Sequence, residues 1–354
     1  MDIHALMDQA FAQQASDLHL AVGRRPVLRI GGRLVEIGDA PLQAADTEAM
    51  ARVVCPERNW EEVQQSGTSD FGVAHQGKCR FRVSVLTQRG VRGLVMRQIP
   101  QRLLTFEQIG LPEGVHDLLH AHRGLVLVTG PTGSGKTTTL AAMIDWINRN
   151  RDVHIVTIED PIEYYHAHHK SMVTQREVGS DVPSFAEAMR RVLRQDPDVV
   201  MLGEMRDLAT TSSAISAAET GHLVFGTLHT TGAARTVDRV IDQYPQEQQD
   251  QVRSQVARSL VAVVSQILVP DTAGGRVAAF ELMLNVPAIE NHIRKGETFK
   301  ISSVLQTGRR QGMVLMDDSL LELCEEGRIT PETAYEHAFD RKSMANRLGV
   351  EEEG

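Results

Sequence analysis

The sequence predicts an α/β fold in which a parallel-sheet domain follows a smaller α+β module. Three observations carry this. From about residue 113 onward, short and nearly continuous apolar runs alternate with helix-length segments, the pattern of strands covered on both faces. One such run, Leu125 to Val128, leads into Gly130-Pro131-Thr132-Gly133-Ser134-Gly135-Lys136-Thr137, which fits G-x-x-x-x-G-K-[ST] at every fixed position; apolar residues then resume at helical spacing, Leu140, Met143, Ile144 and Ile147. Before residue 100 the apolar residues instead alternate with period two around glycine turns, as in hairpins.

The elements follow in order. The opening MDIHALMDQAFAQQ begins with an acid and lacks a basic stretch ahead of an apolar block, so it reads as a short amphipathic helix and not as a signal peptide. Ser16 to Val22 and Pro26 to Ile37 read as strands, the second broken into a hairpin at Gly31-Gly32. Helical patterns cover Asp46 to Val54 and Glu57 to Gln65. A second hairpin runs from Asp70 to Ala74 and from Cys79 to Leu86 around Gln76-Gly77, and Val91 to Arg97 is the last strand of the module. Two prolines and a glycine without periodicity place a linker at 101–112. The strands expected beyond it are Leu125 to Thr129, His154 to Ile158, Asp198 to Leu202 and Leu223 to Leu228. One helix between them opens on the capping box Ser184-Phe185-Ala186-Glu187, and another runs from about Asp207 to a C′ glycine at Gly221. After Pro245 the chain reads as mostly helical apart from a strand at Arg276 to Leu284, and the final EEEG reads as a solvated tail. The expected organisation is a module at 1–100, a linker at 101–112, a core at 113–285 and a helical region at 286–354.

Composition narrows the function. The 354 residues suit about two domains. No stretch of about 18 uncharged apolar residues exists to span a bilayer. Cys55, Cys79 and Cys324 lie far apart, which disfavours a zinc site or a disulfide framework and fits a reducing cytoplasm. A formal net charge of −9 disfavours generic nucleic-acid binding, which needs a basic footprint.

The glycine loop implies a nucleoside triphosphate. Glycines let backbone N–H groups curl around phosphates without Cβ clashes, and the following helix N-terminus adds a favourable dipole. The expected phosphate cradle is Gly130, Pro131, Thr132, Gly133, Ser134, Gly135, Lys136, Thr137 and Thr138, with Lys136 as a point charge and the Thr137 hydroxyl placed for Mg²⁺. Asp198-Val-Val-Met-Leu-Gly-Glu204 is an apolar strand ending in a carboxylate that can orient Mg²⁺ or the attacking water. Glu159, Asp160 and Glu163 cluster after another apolar strand, where open α/β sheets bind ligands, and any of them can serve as the base for water. His222 and His229 flank the strand Leu223 to Leu228, each a candidate γ-phosphate sensor. His166, His168 and His169 read as solvated loop residues. In Cys79-Arg80-Phe81-Arg82-Val83 the arginines alternate with apolar residues, so Arg80 and Arg82 share a strand face, and Arg97 ends the next strand.

Taken together, the phosphate loop, TIEDPIEYYH, DVVMLGEMRDLATTSSAISAAETGH and GTLHTT resemble the secretion-type ATPases, and most closely their PilT-type branch, the retraction ATPases of type IV pili. The resemblance runs from Ala15-Ser16-Asp17-Leu18-His19-Leu20 to about Asp318. It implies a RecA-like core behind a PAS-like N-terminal domain, and ATP with Mg²⁺ as the cofactors. It further implies Glu163 as catalytic base, Glu204 as the Walker-B acid, His222 and His229 as the histidine pair, and Arg82 and Arg97 as arginines reaching a neighbouring subunit's nucleotide. A homohexameric ring follows, with peripheral, protein-mediated association at the cytoplasmic face of the inner membrane through the platform protein of the pilus machine, and no nucleic acid. The chain lacks the four-cysteine insertion of the assembly and type II secretion relatives, and Pro287-Ala-Ile-Glu290-Asn291-His-Ile-Arg294-Lys-Gly-Glu297 resembles the C-terminal AIRNLIRE motif of the retraction branch. Glu290 and His292 depart from that motif, so an accessory retraction paralogue stays open beside the primary motor. An assembly or secretion motor and a nucleic-acid translocase are the further alternatives.

Overall fold

The computed structural model describes residues 2–99 and 103–349. The beginning of the expected linker and the terminal EEEG lie outside the described residues. The chain forms two units, one of 1–103 joined by 160–165, the other of 104–159 and 166–354.

The first unit contains strands β1 (Asp17–Leu20), β2 (Val27–Ile30), β3 (Arg33–Glu36), β4 (Thr68–His75), β5 (Cys79–Gln88) and β6 (Val91–Ile99), with helices α1 (Ile3–Ala12), α2 (Ala44–Val54) and α3 (Glu57–Ser66). The strands pair antiparallel in the order β3-β2-β1-β6-β5-β4. Period-two alternation decides which side is buried. Phe81, Val83 and Val85 of β5 and Leu94 and Met96 of β6 face a core with Leu6 and Met7 of α1, Met50 of α2 and Trp60 of α3. The other β5 face carries Arg80 and Arg82, and Arg82 stands directly opposite Arg97 of β6.

The second unit has helices α4 (Phe106–Ile109), α5 (Val115–Leu118), α6 (Lys136–Asn150), α7 (Phe185–Val192), α8 (Leu208–Glu219), α9 (Ala233–Ile241), α10 (Gln246–Ser259), α11 (Pro287–Lys295), α12 (Ile301–Thr307), α13 (Met316–Glu325), α14 (Pro331–His337) and α15 (Arg341–Leu348). Its strands are β7 (Gly124–Thr129), β8 (His154–Glu159), β9 (Met172–Glu177), β10 (Val199–Leu202), β11 (Leu223–Leu228), β12 (Leu260–Pro270) and β13 (Arg276–Leu284). They form one sheet in the order β13-β12-β7-β11-β10-β8-β9, parallel except for β13. All residues of β7 are buried. Leu125 and Leu127 pack with α7 to α12 on one face, while Val126 and Val128 pack with α4, α5 and α6 on the other. The ends of β12 and β13 bury Ile267, Val269 and Val277 against Met316, Leu320 and Met344 of the C-terminal helices.

Two expectations are corrected here. Arg276–Leu284 is not the one interruption of the helices after Pro245, because Leu260–Pro270 is the eleven-residue strand β12, paired between β13 and β7. An apolar run of that length serves helix or strand equally, and only its β-branched content favours the strand. The sheet also continues past the expected strands to β9, whose sequence MVTQRE carries no apolar run because it lies at an edge.

Candidate nucleotide site

The glycine loop joins β7 to α6, and its backbone uses conformations that side chains disfavour. Gly133 and Gly135 have φ of +79° and +88°. At Gly130 a Cβ would lie 2.1 Å from the Gln266 carbonyl oxygen, so only glycine fits between loop and β12. Lys136 begins α6 and turns back over the loop, its ammonium donating to the Gly130 and Pro131 carbonyls at 2.8 and 3.0 Å. Burial lowers the pKa of this ammonium, and the nearby Glu204 charge works against that shift. A cation buried this far gains from an anion at the loop mouth. Thr132 and Gly133 are exposed, Ser134 is buried, and Thr137 and Thr138 are half-buried on the first turn of α6.

Glu204 follows β10 beyond Gly203. Its Oε1 accepts from Arg206 Nε at 2.7 Å and lies 3.0 Å from His229 Nε2. Burial raises the carboxyl pKa, but the Arg206 hydrogen bond and charge, with His229 beside them, outweigh this and hold it below the ordinary value. The acid therefore stays ionised. On the other side of the ring, His229 Nδ1 lies 3.4 Å from the Thr132 hydroxyl. His229 thus bridges the carboxylate and the phosphate loop.

His222 is not brought there, which corrects its assignment as a phosphate sensor. Parallel pairing sets Leu223 beside Gly124 and Leu228 beside Thr129. His222 therefore sits at the far edge of the sheet, about 20 Å from the loop at ~3.3 Å per residue. Its Nδ1 contacts the Ala217 carbonyl, and its own carbonyl accepts from Gly124 N–H.

The acidic cluster divides in the same way. Glu159 ends β8 inside the second unit, accepting from the Thr157 hydroxyl at 2.6 Å and from Gln175 Nε2 at 3.2 Å. Asp160 and Glu163 belong to the segment 160–165, which groups with the first unit. There Arg80, buried under the segment, donates to the Ile162 carbonyl at 2.7 Å and stacks on Tyr165 at 4.2 Å. Arg82 Nη1 lies 4.0 Å from Glu163 Oε1, and Arg97 Nε donates to Asp17 at 2.9 Å. Each carboxylate offsets the repulsion of the facing arginines. His166 is half-buried, whereas His168 and His169 are exposed as expected. Among the described residues no cluster of acids, histidines and cysteines has the arrangement of a metal site.

Several contributors escaped the sequence reading. Gln266 of β12 donates to the Ser134 carbonyl and accepts from the Thr139 hydroxyl. Its neighbour Ser265 accepts from Gly232 N–H at 2.8 Å, while the buried Glu281 accepts from Ala233 N–H at 2.7 Å, so the turn following His229 is held from β12 and β13. Arg276 donates to the Gly133 carbonyl at 3.3 Å. A cavity of about 620 Å³ opens beside the loop, lined by Gly135, Thr138, Gln266, Arg276 and Gln108 among others, with room for the rest of a nucleotide. The one available signal was the alternation of Ser265 and Gln266 inside an otherwise apolar run.

A glycine loop on a strand-to-helix turn, a buried lysine across it and an ionised acid just beyond the end of β10 define a P-loop nucleotide-binding protein. The family follows from comparison. Residues 1–334 match the family model described as type II/IV secretion system protein, and the chain belongs to that family. It is 46% identical to the type IV pilus retraction ATPase PilT of Pseudomonas aeruginosa over 96% of this chain and 98% of that one. It is 39% identical to the type IV pilus ATPase PilU of the same organism, over 96% and 89%. Among solved structures, the pilus retraction motor PilT with bound ADP superposes with a TM-score of 0.90 at 44% identity, covering 97% of this chain and 98% of that one.

Proposed function

We propose that this chain hydrolyses ATP and drives retraction of type IV pili, the activity named for its 46% identical relative. The observation that carries the reading is the convergence of Lys136, Glu204 and His229 on one glycine loop, with Glu204 kept ionised. Magnesium suits the donors present, the Thr137 hydroxyl and the Glu204 carboxylate, the latter acting through water; when bound it would neutralise phosphate charge. Lys136 and the loop N–H groups hold the phosphates, Glu163 accepts the proton of the attacking water, and His229 reports the γ-phosphate to Glu204.

Arg82 and Arg97 then serve a neighbouring subunit's site in a homohexamer, where such arginines contribute roughly 10³ to 10⁵ in rate. The ring works at the cytoplasmic face of the inner membrane, against the platform protein of the pilus machine. No described helix is long and apolar enough to cross a membrane, in keeping with peripheral attachment.

The test is a count of surface pili in a strain lacking the gene. Excess pili without twitching motility is the expected result. Bald cells would overturn retraction in favour of assembly. The 39% identity to PilU supports one second reading, an accessory retraction ATPase; normal piliation with weakened retraction force would select it.

A further inference from the structure

Gln266 lies within β12, 2% exposed, and its side chain hydrogen-bonds both the phosphate loop and the helix after it. Its amide N–H donates to the Ser134 carbonyl at 2.5 Å, and its amide oxygen accepts from the Thr139 hydroxyl at 2.7 Å. Both partners belong to buried residues, Ser134 at 2% and Thr139 at 0% exposure. The same residue's backbone forms the wall against which Gly130 packs, and its amide nitrogen would lie 2.8 Å from a Cβ on Gly135. One residue therefore abuts the loop at its first and last glycines.

We propose that Gln266 is the positioning residue of the phosphate loop, fixing the direction of the Ser134–Gly135 peptide so that its N–H is presented to phosphate. This rests on the nucleotide-binding reading of the loop. In a trans peptide the carbonyl and the N–H point opposite ways. Drawing the Ser134 carbonyl toward β12 therefore aims the Gly135 N–H away from β12. The Thr139 hydroxyl, donating to the amide oxygen, fixes which end of the amide meets Ser134. Glutamine suits the task because a neutral amide supplies a donor and an acceptor together; an ionised glutamate cannot donate, and methionine or leucine can do neither. The clamp needs no charge, so it leaves the electrostatics of the loop to Lys136.

The test uses the full-length protein, with ADP as the binding probe and ATP turnover as the second readout. In Gln266→Met the side chain keeps its length and loses both hydrogen bonds. ADP affinity is expected to weaken about tenfold and KM for ATP to rise by a similar factor, with kcat at saturation changed less than about threefold. Thr139→Val keeps the donation to Ser134 but frees the amide to turn, and is expected to weaken ADP by about threefold. A purely structural Gln266 would lower the melting temperature and the active fraction while leaving the Kd of the folded protein unchanged, and that result would overturn the proposal. Should Gln266→Met not fold, Thr139→Val decides alone: unchanged affinity overturns the clamp, a weakened one supports it. A parent protein that fails to bind ADP would instead overturn the nucleotide reading, and this inference with it.

Discussion

Arg80 offers a sharp test of how the proposed base is held. Arg80→Met keeps the apolar stem under the segment 160–165 and deletes the guanidinium. The structure assigns that group a charge-assisted bond of 2.7 Å to the Ile162 carbonyl and a stacking contact of 4.2 Å to Tyr165. Losing a hydrogen bond donated by a charged group costs about 1.5–3 kcal/mol. The ring contact adds about 0.5 kcal/mol, the low end of its range because Tyr165 is 60% exposed. A central value of about 2 kcal/mol corresponds to roughly a 30-fold change in the ratio of seated to unseated segment, at about 1.4 kcal/mol per factor of ten. Glu163 is carried on that segment one residue beyond Ile162. Turnover at saturating ATP should therefore fall, by up to that factor, while ADP affinity, set in the other unit, changes less than about twofold. Steady-state ATPase assays beside ADP titrations measure both. Unchanged kcat with a lowered melting temperature would refute the reasoning and leave Arg80 as a packing residue.

Two further outcomes follow from the same geometry. His229→Ala removes the group bridging Glu204 to the loop and should lower kcat about 100-fold, the usual loss for one oriented donor, whereas His222→Ala at the opposite sheet edge should leave ADP affinity within about twofold; equal losses of affinity would contradict the placement of His222. Burial raises the Asp17 carboxyl pKa, but bonds from Arg97 and Ser16 outweigh it and hold the group below its ordinary value. The folded pKa then lies under the unfolded one, so this stabilisation is complete above about pH 4 and disappears as pH falls through the folded value. Denaturation midpoints of parent and Asp17→Asn should differ at pH 7 and draw together toward about pH 3; a gap independent of pH would remove the ionised pair from the explanation.

The parts of this fold legible in the sequence are those where one local rule dominates. Gly130 to Thr137 announced a strand-to-helix turn because every fixed position has a steric or electrostatic reason, and the period-two runs of the first 100 residues announced hairpins because one face of each strand is buried and the other is not. Legibility ended where tertiary context decides. Met172–Glu177 is polar and forms a strand only because an edge of the sheet is available to it. Glu163 and Glu204 both follow apolar strands in sequence, yet one is carried on a segment grouped with the first unit while the other stands beside Lys136; spacing along the chain contains nothing that separates them. His222 misled for a related reason, since two histidines flanking one strand look equivalent until the strand's direction places them on opposite edges of the sheet.

The strand Leu260–Pro270, absent from the expectation of mostly helix after Pro245, bears on the site itself. A strand turns successive side chains to opposite faces, and here that alternation sends Gln266 to the phosphate loop and Ser265 to the turn after His229. A helix would set the two side chains only about 100° apart and could not reach both loops from one buried position. The polar pair inside an apolar, β-branched run was thus itself the evidence for a strand. Two adjacent polar residues at the middle of a buried segment each need a partner, and loops lying on opposite faces of a sheet supply one to each. The strand hardest to recognise is the one that ties the loop expected to hold phosphate to the loop expected to sense it.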